Sequence, residues 1–153
     1  MRVITDIVSE LITNETFLTI IAGVGVYALS QFILELVIVP AKQYKALKQK
    51  IGYSIALYCR YYNNPYNLTK EDNFRDKGEY EKASDEFRKI GAELAGYLGT
   101  IPKIRFKKRK KLELVLSEII GISNGFYQSK NYNPIKDNKK GEMIIKKQLN
   151  IWK

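Results

Sequence analysis

The stretch "FLTIIAGVGVYALSQFILELVIVP", Phe17 to Pro40, decides the architecture. Between Phe17 and Val39 the only polar side chains are Thr19, Ser30, Gln31 and Glu35. At about 1.5 Å per residue a helix of this length covers roughly 34 Å, enough for a hydrocarbon core of about 30 Å. A core helix of a soluble protein carries a polar stripe at helical spacing, yet Leu18 to Leu29 is apolar or small on every side except at Thr19. Glu35 lies four residues before Val39, about 6 Å from the boundary of such a span, where its carboxylate reaches headgroups or an oligomer interface. The segment 17–40 therefore reads as a transmembrane helix, with a buried core helix or an interfacial segment as its rivals.

A cleaved signal peptide is disfavoured. Ala28-Leu29-Ser30 has small residues at cleavage spacing, but the preceding segment sets Arg2 against Asp6, Glu10 and Glu15, the wrong sign for an n-region. Apolar sequence also continues for nine residues beyond Ser30. Before the span the one basic side chain is Arg2, and directly after it come Lys42, Lys45, Lys48 and Lys50. Positive charge stays inside, so the C-terminal part is expected in the cytoplasm and the N-terminus outside the cell membrane. Residues 1–40 carry net −3 and residues 41–153 net +13, which together make the overall +10. An adjacent anionic leaflet is the nearest polyanion for that charge. Cys59 is the one cysteine, which rules out an internal disulfide and suits a reducing compartment.

On either side of the span the spacing is helical. Val3, Ile4, Ile7, Val8, Leu11 and Ile12 oppose Asp6, Glu10 and Thr13, a short amphipathic helix over 1–16 or an outward extension of the span. Pro40 should break or kink the helix. Beyond it Tyr44, Leu47, Ile51, Ile55, Tyr58 and Tyr62 share one face, "NNPYN" ends the run, and 63–76 reads as a long surface loop. Asn67-Leu68-Thr69 is a formal glycosylation sequon without meaning on a cytoplasmic side. Tyr80, Ala83, Phe87, Ile90, Leu94, Tyr97 and Ile101 then form an unbroken seam as far as Pro102. Gly91, Gly96 and Gly99 each cost about 1 kcal/mol of helix propensity, which favours close packing in a bundle over a free-standing coiled coil. "KIRFKKRKK" separates this helix from a further one with Leu112, Val115, Leu116, Ile119, Ile120 and Ile122 on its apolar face, ending near Gly125. After a polar loop, "SKNYNPIKDNKKG", a last short helix carries Met143, Ile144, Ile145, Leu149 and Trp152. The expected fold is all-α: an N-terminal transmembrane helix followed by a small cytosolic helical bundle over 41–153.

Little catalytic chemistry is on offer. Histidine is absent, which removes the commonest general base and zinc ligand, and one cysteine makes no thiolate cluster. "AGVGVY" lacks the context of a phosphate-cradling loop. Glu79, Glu81, Asp85 and Glu86 interleave with Lys82, Arg88 and Lys89 and read as a solvated helix surface. Tyr53, Tyr58, Tyr61, Tyr62 and Tyr66, with Arg60, fit a stacking platform for bases, but fit a packed helix face better.

The sharper candidate is the basic run: Lys103, Arg105, Lys107, Lys108, Arg109, Lys110 and Lys111. It reads as a solvated loop, as a contact for anionic lipid at roughly 1 kcal/mol per well-placed basic residue, or as a clamp for an anionic ligand such as RNA or a signalling nucleotide. Phe106 within the run favours lipid, since an aromatic inserts at the interface. Gln31 and Glu35, four apart on one face, are candidates for association of the span with a second copy.

The order of elements resembles a group of small uncharacterised bacterial membrane proteins. The likeness rests on one N-terminal anchor, a helix, "ASDEFRKIGAELAGYLGTIP" and then, after a spacer, "LELVLSEIIGISNGFY". In that group a helix ending in Ile-Pro is followed by one ending in a Gly-Leu-Ser-Asn-like turn, here Ile101-Pro102 and Gly121-Ile122-Ser123-Asn124. The resemblance covers roughly 17–127; Ile122 replaces the leucine, and the heavily basic spacer is particular to this chain. It implies an inner-membrane protein with a cytosolic helical domain and brings no catalytic residues. The expected function is a single-pass, membrane-tethered interaction module that is not an enzyme and needs no cofactor, with anionic lipid and a protein partner or a second copy as its contacts. The alternatives are an oligomerising membrane effector driven by a cytosolic signal, as in antiphage defence, and the binding of an anionic ligand or nucleic acid, including a soluble RNA-binding protein if the span is misread.

Overall fold

Asn14 opens the first helix. Its backbone is extended, and its side-chain oxygen accepts from the N–H groups of Thr16 and Phe17, two donors that the first helical turn leaves unpaired. The computed structural model describes residues 14–69, 76–101 and 106–151, so the amphipathic pattern of 1–13 lies outside the described residues. Helix α1 runs Glu15–Ile33 and buries none of its side chains. The hydroxyls of Thr19 and Ser30 donate to the carbonyls of Glu15 and Val26, which satisfies these polar groups within the helix itself. The helical segment containing α1 is long and apolar enough to cross a membrane.

Of the two outcomes expected at Pro40, a break does not occur: helical residues continue from Glu15 to Asn63. Proline has no N–H to donate, and its ring crowds the carbonyl four residues back, that of Leu36. A π-helical turn over Leu34–Ile38 precedes it, and the Val39 N–H reaches back five residues to the Leu34 carbonyl. The wider turn changes the hydrogen-bond register where proline would otherwise break it.

The chain divides into two compact units, one up to Lys42 and one from Gln43. In the second unit the part of α2 (Val39–Asn63) from Gln43 onward, α3 (Lys77–Thr100), α4 (Phe106–Asn124) and α5 (Ile135–Leu149) surround one core. Its largest fully buried side chains are Tyr62, Phe87 and Phe126, followed by Ile55, Ile90 and Leu94. Tyr44 stacks with Tyr97 at one end, and Tyr61 meets Tyr80 edge-on at the other, so α2 and α3 are antiparallel. Lys108 returns α4 to the Tyr44 end; Asn138 lies beside Tyr62 and Ile151 beside Gly52, which sets α5 antiparallel to α2. The result is an all-α, up-down-up-down four-helix arrangement.

Several details differ from the reading of the sequence. The loop after Asn63 contains a two-residue strand, β1 (Tyr66–Asn67), paired in parallel with β2 (Tyr127–Gln128), which ties the ends of α2 and α4 together. The seam helix stops at Thr100, and Pro102 lies outside the described residues. Gly91 does pack closely, its missing side chain facing Leu116, Ile119 and Ile120, but Gly96 and Gly99 face open space. Ile120 is 47% exposed although it was expected in the core. Helix α5 begins at Ile135, inside the segment read as a polar loop. Its core face is Asn138, Gly141, Ile145 and Leu149, while Met143 is 71% exposed. Trp152 is outside the described residues.

Candidate functional site

The described part of the basic run, Lys107 to Lys111, is helical rather than loop. Helix α4 starts at Phe106, so Lys107 to Lys111 occupy its first turns, where the partial positive charge of a helix N-terminus opposes lysine. Lys103 and Arg105 lie outside the described residues. Of the rest, two turn inward. The Lys108 ammonium sits 4.2 Å from the centre of the Tyr44 ring and 5.9 Å from that of Tyr97, and donates to the Tyr97 hydroxyl at 3.5 Å. Arg109 pairs with Glu113 at 2.9 Å and donates to the Leu98 carbonyl, helping to satisfy the C-terminal end of α3. Lys107, Lys110 and Lys111 remain at the surface.

Tyr44 and Tyr97, which the charge pattern did not single out, are therefore the residues that hold this region together. Partial burial, and secondarily the neighbouring Tyr97, pushes the Tyr44 phenol above its ordinary value, so it stays neutral beneath Lys108. The ring face attracts the ammonium by its quadrupole. This contact fixes the beginning of α4 to the beginning of α2. Lys45 and Lys48, with Gln49, Tyr53 and Ile151, line an open groove of about 510 Å³ on the adjoining part of α2. Basic groups from two helices thus share one end of the bundle.

The tyrosine group is mainly structural. Tyr58 and Tyr62 each meet the Phe87 ring edge-on, Tyr61 and Tyr66 meet Tyr80, and Tyr62 also packs on Phe126. Tyr53, 66% exposed, is the exception. A stacking platform needs several open ring faces in a row, which these contacts do not leave. Arg60 lies over Tyr61 and reaches Glu79, while Lys77–Glu81, Arg88–Asp85 and Lys89–Glu86 are pairs along α3. The carboxylates are thus distributed among surface ion pairs rather than converging on a reacting centre.

Gln31 in α1 and Glu35 in the π turn are both exposed. No protein-family model, curated protein or solved structure matches the chain. The functional reading rests on the residues and their geometry.

Proposed function

We propose that this protein is a single-pass, membrane-tethered interaction module of a bacterial inner membrane, with the N-terminus outside and residues 41–153 in the cytoplasm. The observation that carries the reading is the Lys108–Tyr44 contact. Tyr44 lies four positions after Pro40, so covalent connectivity alone keeps Tyr44 within about 14 Å of the end of the span. The same contact brings the start of α4, with Lys107 and Lys111, to that end of the bundle. An anionic leaflet attracts each such lysine by roughly 1 kcal/mol, decaying over a Debye length. That α1 buries no side chain supports its role as the anchor, because those side chains find no protein core to enter.

A second reading, an oligomerising membrane effector, is favoured by Gln31 and Glu35. Their exposed polar groups gain partners if two spans associate.

The test is fractionation of the full chain. Membranes are expected to retain it through high-salt and carbonate washes, with the C-terminus protected from protease added to spheroplasts. Recovery in the soluble fraction overturns both readings.

A further inference from the structure

Helix α5 has two unlike faces. Asn138, Gly141, Ile145 and Leu149 point into the core, and at 100° per residue Lys136, Lys140, Met143 and Lys147 fall within one narrow stripe on the other side. Lys139 flanks the stripe. Among the described residues Met143 is the most exposed of the large apolar side chains, at 71%, in the middle of a lysine surface. Among the described residues no carboxylate pairs with Lys136, Lys139, Lys140 or Lys147. Three of these lysines lie in the first two turns of α5, where the helix dipole disfavours cations. Neither the helix dipole nor core packing accounts for this arrangement.

We propose that the outward face of α5 is a docking surface for an acidic, amphipathic helical segment of a partner protein. Its carboxylates meet Lys136, Lys140 and Lys147, and an apolar side chain covers Met143. Charge complementarity requires a polyanion, and the central methionine, a flexible side chain suited to adaptable contacts, requires that the polyanion carry an apolar anchor. The face offers no aromatic ring and no arginine on which a nucleobase would stack. A bilayer is less suited: a helix that lies in a membrane interface presents a broad apolar face rich in Trp, Phe or Leu, whereas the outward stripe of α5 carries one large apolar side chain, Met143. The carboxylates of the chain's own α3 are already engaged with Lys77, Arg88 and Lys89, which argues against a second copy as the partner.

The test uses the full chain in nanodiscs and a synthetic 18-residue helical peptide with glutamates on one face and leucines on the other. Peptide binding is followed by anisotropy and by acetylation of individual lysines. The peptide is expected to bind and to protect Lys136, Lys140 and Lys147. Replacing Lys136, Lys139, Lys140 and Lys147 together by Gln should weaken it about tenfold, each exposed pair being weak alone. Met143→Gln should weaken it several-fold. The charge-matched control, Lys42, Lys45, Lys107 and Lys111 to Gln, should bind the peptide as the parent does. An equal loss in that control, no loss in the α5 variant, or equal binding of a peptide with its leucines replaced by Gln overturns the proposal. Protection of the same lysines by poly(U) RNA or by anionic lipid, without peptide binding, also overturns it and names the other partner. The lipid reading fails separately, if anionic nanodiscs leave Lys107 and Lys111 as reactive as zwitterionic ones.

Discussion

The side-chain amide of Asn138 donates to two backbone carbonyls, those of Tyr62 and Gly125, at 2.7 Å each. These carbonyls belong to the last turn of α2 and the residue just after α4, so a single buried amide joins three helices at the end of the bundle opposite the basic run. It is almost fully buried, and both bonds replace water that the two carbonyls lose on folding. Asn138→Ala should cost about 2–4 kcal/mol, the sum of two unsatisfied buried acceptors and a small cavity, measured by denaturant unfolding of the full chain in detergent.

Gly125 is required by the same amide. A Cβ there would stand 2.0 Å from the Asn138 Oδ1, a steric demand rather than a conformational one. Gly125→Ala should therefore destabilise by about 2 kcal/mol or more in the parent, and by much less in an Asn138→Ala background. Simple additivity of the two changes would contradict this account.

The contact of Lys108 with Tyr44 should be measurable as a coupling. A double-mutant cycle with Lys108→Met and Tyr44→Leu should give about 0.5–1 kcal/mol, and Tyr44→Phe should preserve most of it, since the ring face rather than the hydroxyl meets the ammonium.

Tyr62 makes stability depend on alkaline pH. Its side chain is fully buried, its hydroxyl donates to the Ile55 carbonyl, and burial, reinforced by the nearby Glu142, pushes the phenol above its ordinary value of 10.0. Above about pH 10 the unfolded chain gives up this proton while the folded chain keeps it, so the unfolded state binds fewer protons. Stability from this group is complete below pH 10 and falls as pH rises, by about 1.4 kcal/mol per pH unit. Unfolding curves at pH 8 and 10.5 should show the loss. Tyr62→Phe should flatten most of it, leaving the smaller contributions of Tyr44, Tyr58, Tyr127 and Tyr132, whose phenols are also raised by burial.

Gln31 and Glu35 separate the two functional readings. In an associating span, replacing both by Leu should shift crosslinked oligomers toward monomer without loss of membrane insertion, and should relieve any growth arrest on overexpression. Crosslinking in native membranes that finds monomer before and after the change leaves the tether alone.

The helices and most of the core were legible because apolar residues recurring every three or four positions must share a face. Ile51 and Ile55, the seam from Tyr80 to Ile101, and Leu112, Val115, Ile119 and Ile122 are all buried. The apolar segment proposed as the span stood out for the opposite reason: no face of 18–29 is polar. Helix α5 was misread because Met143, Ile144 and Ile145 are consecutive and wrap most of the way round a turn, so periodicity alone cannot choose which of them meets the core. Asn138 read as surface because a polar side chain is buried only where acceptors converge on it, and Tyr62 and Gly125 lie 76 and 13 residues away. The basic run was legible as charge but not as geometry: the contact of Lys108 with the Tyr44 ring, 64 positions earlier, depends on α2 and α4 running in the same direction. Spacing along the chain specifies which side chains share a face of one helix; what that face meets is settled only when distant segments pack, because the partners that make burial favourable are supplied by other helices.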